Sequence, residues 1–169
     1  MAANDFLDKN DYFTAVEFGL TPMIGGLGQG NYQFLLWHTD GRENRNEPDQ
    51  PSGEGFSLRF EQYIGERALP FVTYTRASGG ATDVRQLVTA GIGLKGIFSD
   101  RDDVSGVAVA WGQPEDRSLR NQYVAELFYR LQLTNSIQVT PDFQLIAEPS
   151  RNRDNDTIGV FGLRMRIIL

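Results

Sequence analysis

Ten side chains stand out as able to handle a small polar solute: Glu17, Trp37, Arg59, Glu61, Lys95, Glu126, Arg130, Asp142, Arg164 and Arg166. Guanidinium planes and carboxylates offer donors and acceptors that suit hydroxyl groups, and a wall of mixed sign does so without selecting for net charge. An indole face such as that of Trp37 adds a flat surface on which a ring can stack. The competing use of the same charges is structural, as cross-strand pairs that hold neighbouring strands together. Glu126 and Arg130 lie roughly 13 Å apart if their segment is extended, so they cannot form one ion pair there. Each then needs a partner on a neighbouring segment, and Asp142, across a tight turn, is a candidate partner for Arg130.

Covalent and metal chemistry find less support. His38 is the single histidine and there is no cysteine, which removes His-pair metal sites, thiolate sites and disulfides. A triad of His38, Ser57 and an aspartate is conceivable, but no G-x-S-x-G elbow exists. His38 reads better as an interfacial aromatic near a loop. The run Gly25-Gly26-Leu27-Gly28-Gln29-Gly30 lacks the Lys-Ser/Thr of a phosphate loop and no helix follows it, so it is read as a flexible turn. Asp100-Arg101-Asp102-Asp103 and Asp154-Asn155-Asp156 lack calcium-loop spacing and are read as turn chemistry. No cofactor and no metal is implied.

The elements that carry the ten residues alternate with period two. From 119 to 133, Gln122, Glu126, Arg130 and Gln132 fall on one parity, with Val124 and Phe128 as apolar exceptions; Tyr123, Ala125, Leu127, Tyr129, Leu131 and Leu133 fall on the other. A helix would place Glu126 and Arg130 one turn apart, but the β-branched and aromatic content and the apolar parity favour a strand. The same alternation gives strands over 11–20, 31–40, 55–64, 68–77, 84–97, 104–112, 119–133, 136–147 and 157–168. Each is about ten residues, enough for a tilted strand to cross a bilayer. Pro70 and Pro141 fall inside strands and are expected at bulges or strand ends, since proline donates nothing to a ladder.

Connections alternate too. Gly65–Arg67, Phe98–Asp103 and Thr134–Asn135 are short. Asp40–Glu54, Ser78–Asp83, Gln113–Ser118 and Pro149–Asp156 are longer and polar, and Thr21–Gly30 is long where a short turn is due. Short turns on one rim and long loops on the other are the arrangement of an outer-membrane barrel. One parity carries too many charges to be a dry core. The other is apolar, with Tyr12, Phe18, Tyr32, Phe60, Tyr123, Tyr129 and Phe161 near strand ends, as in an interfacial girdle. Alternation alone fits a soluble antiparallel sandwich equally well, with the apolar parity packed inside.

The 169 residues carry a net charge of −6 and have a mean hydropathy of −0.35. The acidic balance argues against a nucleic-acid partner. No run of about 18 apolar residues is present, so no transmembrane helix is expected, which leaves a barrel open. Residues 1–9 have no apolar export core and are not a signal peptide; the expectation is a mature form or a part of a larger barrel.

From Tyr12 onward the chain resembles the carbohydrate-selective porin (OprB-type) family. The stretches that carry the likeness are Phe13–Pro22 with Asn31–Asp40; the glycine-rich strands and Arg-Asp turn of Ala90–Ala110; Glu126–Thr134 followed by Ile137–Pro149, with its Glu-x-x-Tyr-Arg and Gln-x-x-Pro-Asp-x-Gln patterns; and Gly159–Arg166. The resemblance implies an all-β fold: an antiparallel transmembrane β-barrel, of which this chain supplies about nine strands from the C-terminal part of a roughly 16-stranded wall. Residues 1–10 would be a lead-in and 11–169 the barrel portion. It further implies an outer-membrane channel of a Gram-negative-type cell for passive diffusion of carbohydrates, with the ten residues above lining the lumen. Membrane lipid and sugars are the implied partners, and self-association into a homo-oligomer is compatible. With some seven strands absent, the chain alone is not expected to conduct. The alternatives are a non-channel barrel with a structural or binding role and a soluble β-sandwich binding module. No enzymatic activity is implied.

Overall fold

A computed structural model describes residues 12–41, 51–97 and 103–168. Its elements are β1 (Phe13–Leu20), β2 (Met23–Ile24), β3 (Gly28–Thr39), β4 (Gly53–Gln62), β5 (Ala68–Ser78), β6 (Val84–Lys95), β7 (Val104–Pro114), β8 (Gln122–Thr134), β9 (Ile137–Ala147) and β10 (Thr157–Ile167). All lie in one antiparallel sheet, in the order β1-β3-β4-β5-β6-β7-β8-β9-β10, with β2 paired to β3. Every long strand neighbours the next one along the chain, the order expected when antiparallel strands are joined without crossovers.

The nine expected strands are all present, and β2 is new. It explains the connection that was too long for its rim. Met23 and Ile24 pair with Gln29 and Gly28, so the run from Gly25 to Gly30 is a tight hairpin and not a flexible turn. Gly26 takes φ +82° at its tip, a left-handed conformation in which glycine meets no Cβ penalty. The neighbouring turn docks on it through Tyr63 N–H to Gln29 O (3.0 Å) and Gly65 N–H to Leu27 O (2.7 Å).

The segment expected to start at 119 becomes a strand only at Gln122. Asp116 holds the preceding turn, accepting from the Ser118 amide at 2.8 Å, while the Leu119 amide bonds the Asp116 carbonyl at 3.1 Å. Arg120 then leaves the ladder. It reaches the carbonyls of Pro149 (3.3 Å), Asn152 (3.0 Å) and Asn155, and pairs with Asp156 at 3.2 Å. The loop from Glu148 to Asp156 is thus folded around one guanidinium, closed at its base by Glu148 N–H to Asp156 O at 2.8 Å. Arg151 ties it to Asp83 of another long loop at 2.9 Å.

Neither proline produces a bulge. Pro70 pairs with Ile92 of β6, but the β4 ladder ends at Phe71, so its missing donor falls beyond that ladder. Pro141 faces Leu163 on β10. Toward β8 the pairing is interrupted between Phe128↔Asp142 and Leu131↔Val139 and resumes in the same register. The missing amide is absorbed by a gap in one ladder, without a shift.

Among the described residues there is no second layer. Among the described residues no large side chain is fully buried, and the apolar parity is the more open one: Tyr123 is 48% exposed, Val109 57%, Leu127 58% and Phe161 72%. On β8 the apolar positions Tyr123, Ala125 and Leu127 are exposed while Gln122, Val124 and Glu126 between them are half-buried. A sandwich would show the reverse, so that reading is overturned: none of the described residues packs on the apolar face, and the polar face is the more crowded one. An apolar surface of this extent is far beyond what a monomeric soluble protein leaves in water.

Two outcomes follow from this layout. The chain is expected to aggregate in plain buffer and to fold in detergent micelles or lipid vesicles, with migration on an unheated gel that changes on boiling; a soluble, folded monomer without detergent would refute it. At the long-loop rim, the Ser118 amide, then the Ser118 hydroxyl and Arg153, hold the Asp116 carboxyl below its ordinary 3.8. Because the folded pKa is depressed, this turn's contribution is present above 3.8 and is lost as pH falls through the lowered value. The Ser118 amide resonance should titrate with a midpoint below 3.8, and a midpoint at or above that value would show that the carboxylate is not its acceptor.

Candidate functional site

Directly paired residues share a face of a sheet, and neighbours along a strand alternate. Following the registers from β1 to β10 puts all ten sequence-selected residues on one face. Glu17 pairs with Leu35, two positions from Trp37, and Trp37 pairs with Gly55. Arg59 and Glu61 pair with Thr73 and Phe71, and Phe71 leads through Gly91 and Ala108 to Glu126. Lys95 leads through Val104 to Arg130. Asp142 pairs with Gly162, Thr140 with Arg164 and Gln138 with Arg166. His38 and Ser57 occupy opposite faces of this single layer, so they cannot share a catalytic triad.

Side-chain contacts on this face differ from the expected cross-strand ion pairs. Arg59 turns along its own strand to Glu61, with Nε donating to Oε1 at 2.7 Å. The other carboxylate oxygen of Glu61 accepts from Asn31 Nδ2 across the sheet at 3.1 Å. Glu126 accepts from Gln144 Nε2 on β9 at 3.2 Å. Ser57 and Thr75 share a hydroxyl bond at 3.1 Å, and Gln138 Nε2 donates to Gln132 Oε1 at 2.7 Å. Cross-strand bonding here runs through amides and hydroxyls more than through opposite charges.

Arg130 does not pair with Asp142. The register sets Asp142 against Phe128, two positions nearer the long-loop rim, and the Arg130 Nε is buried with no hydrogen-bond partner among the described residues. Lys95 lies over the Tyr63 ring, 5.8 Å from its centroid. Glu17, Arg164 and Arg166 sit exposed on the edge strands β1 and β10. Asp103, weighed as part of a calcium turn, is buried and commits its carboxylate to the protein, accepting from Tyr129 Oη (2.9 Å) and the Gln132 amide (2.7 Å). Asp100 and Asp102 lie outside the described residues.

Aromatic rings on the inner face rest on glycines. A Cβ at Gly55 would stand 2.7 Å from the Trp37 ring, one at Gly91 2.8 Å from Phe71, and one at Gly106 2.4 Å from Phe128. Each ring therefore lies across the neighbouring strand where no side chain rises. Trp37 also stacks on Phe13, with centroids 6.4 Å apart and planes at 22°. Phe71 was not selected from the sequence and Phe128 was set aside as an exception; the signal was their polar parity. A recess of about 470 Å³ on this face is lined by Arg59, Glu61, Phe71, Thr89, Glu126 and Phe128, among others. A larger one, about 570 Å³, lies chiefly on the opposite face, where Val16, Leu36 and Phe56 line it together with His38, Glu54 and Arg76.

Comparison with known proteins agrees with this geometry. The family model described as "Carbohydrate-selective porin, OprB family" matches residues 5–169. The chain belongs to that family. Porin AaxA of Chlamydia felis is 28% identical over 166 residues, which is 94% of this chain and 36% of that protein; Porin AaxA of Chlamydia caviae gives the same figures. The chain thus spans about a third of the length of these relatives. A solved structure, the high pH structure of Pseudomonas putida OprB, superimposes with a TM-score of 0.78 at 20% identity, covering 93% of this chain and 48% of that one. The family and the fold place the sheet in the wall of an outer-membrane β-barrel.

Gly55→Ala tests the ring-on-glycine packing. Its Cβ would come within 2.6 Å of the Arg76 carbonyl as well as the indole. A cost of about 1–3 kcal/mol is expected in urea unfolding from lipid vesicles, with a shift in tryptophan emission; an unchanged midpoint and spectrum would show that Trp37 does not lie on Gly55.

Proposed function

We propose that this chain forms part of the wall of a passive outer-membrane channel whose water-filled lumen admits carbohydrates, with Glu17, Trp37, Arg59, Glu61, Lys95, Glu126, Arg130, Asp142, Arg164 and Arg166 lining it. The observation that carries the reading is the inverted exposure of one uncovered sheet. Its apolar face is open and its charged face is crowded and hydrogen-bonded. Only a surround of lipid outside and water inside satisfies both faces. Membership of a carbohydrate-selective family supports sugars as the solute. Planar donors and acceptors of both signs suit neutral polyhydroxy solutes. Passage is diffusive and needs no cofactor and no covalent step.

The absence of cysteine gives a direct test. Ser57→Cys and Gln144→Cys lie on the polar face, Leu58→Cys and Leu145→Cys on the apolar one. With the chain folded in vesicles, a membrane-impermeant thiol reagent should modify the first pair and spare the second, and added sugar should slow the reaction. Equal labelling of both pairs would remove the lumen assignment; labelling of the polar pair indifferent to any sugar would remove carbohydrate as the solute.

A further inference from the structure

We infer that the recess between β4 and β8 is a hexopyranose subsite in which Phe71 and Phe128 stack on the sugar and set its class. The inference rests on the carbohydrate reading above and adds what the wall recognises. Phe71 reaches from β5 across Gly91 on β6, and Phe128 reaches from β8 across Gly106 on β7. The two rings therefore approach each other from either side of the paired strands β6 and β7. Between them the inner face carries Gly93 and Ala108, too small to fill the space.

Polar groups bracket the same recess. On the Phe71 side stand Arg59 and Glu61, joined along one strand, with Glu61 already fixed by Asn31. On the Phe128 side stands Glu126, fixed by Gln144. Both carboxylates are held in place before a ligand arrives and retain further acceptor capacity for hydroxyls. The volume, about 470 Å³, falls within the roughly 300–1,000 Å³ of small-molecule sites.

Flat phenyl rings select by shape. A pyranose has a face of axial C–H groups that can lie on an aromatic ring, with its equatorial hydroxyls directed outward to carboxylates and guanidinium. An open-chain hexitol has the same hydroxyl chemistry and no such face. The charged groups alone would serve either solute; the two rings favour the cyclic one. In this way the glycine-rich strands gain a role beyond chain packing, since a side chain at Gly91 or Gly106 would lift the ring that lies over it.

The test uses the full chain folded in detergent micelles, with methyl β-D-glucopyranoside and sorbitol as probes and saturation-transfer NMR as readout. Wild type should bind the glucoside about tenfold more tightly than sorbitol, with saturation greatest at ring C–H protons, and Phe71→Leu/Phe128→Leu should remove most of that preference. An unchanged heat-dependent gel shift confirms that the variant is folded, and the single variants serve if the double one is not. Glucoside and sorbitol bound alike by wild type, or a preference untouched in the variants, would overturn the aromatic subsite and leave the carbohydrate reading standing. No binding of either probe by folded wild type would overturn both.

Discussion

Lateral hydrogen bonding between neighbouring strands is the interaction on which everything else here depends. A soluble domain distributes its stability between a ladder and a packed interior, whereas the described residues of this sheet form no packed interior. In a bilayer each backbone amide and carbonyl must be paired within the wall, because lipid offers no substitute. The registers accordingly run almost unbroken over strands of eight to thirteen residues, with register shifts only near strand ends, at Val84/Gln86 and Gln132/Thr134. The two prolines inside strands are tolerated where a ladder ends or is briefly open.

A wall one layer thick assigns its two faces to two solvents, and this explains why so much was legible in the sequence. Period-two parity is a direct consequence of strand geometry. Once nine strands are recognised, the face of Arg59 or Glu126 follows without coordinates. Turn lengths were legible because hairpin loops carry glycine, aspartate and asparagine for conformational reasons that are local. The start of β8 was misjudged because Leu119 keeps the apolar parity while Asp116 bonds to the turn before it, a competition between pattern and local capping that parity cannot register.

Partner choice within the face was less legible. Parity says that Arg59, Glu61, Arg130 and Asp142 share a side, but not which strand offsets bring them into reach. Arg59 found Glu61 two positions along its own strand, and Asp142 came opposite Phe128 in place of Arg130. Such outcomes depend on the register of each hairpin, where one residue of offset turns a side chain to the other face and two exchange its partner on the same face. Aromatics on the polar parity were discounted for a similar reason. Phe128 looks like an error in a charged row until Gly106 is seen beneath it on the next strand.

The edges impose a final condition. Strands alternate in direction across the sheet, and an odd number of long ones separates β1 from β10 inclusively, so both edges run the same way, from the long-loop rim to the short-turn rim. Among the described residues the two edges do not pair, and joining them directly would require a parallel contact inside an otherwise antiparallel wall. Antiparallel closure instead demands an odd number of intervening strands, which returns the even total of a bacterial outer-membrane barrel. Among the described residues both edge strands are open along their length, with apolar side chains such as Phe18 and Leu163 on the lipid side and Glu17 and Arg164 on the inner one. A complementary strand on either edge must therefore carry the same parity, apolar outward and polar inward, in a register fixed by these same rows.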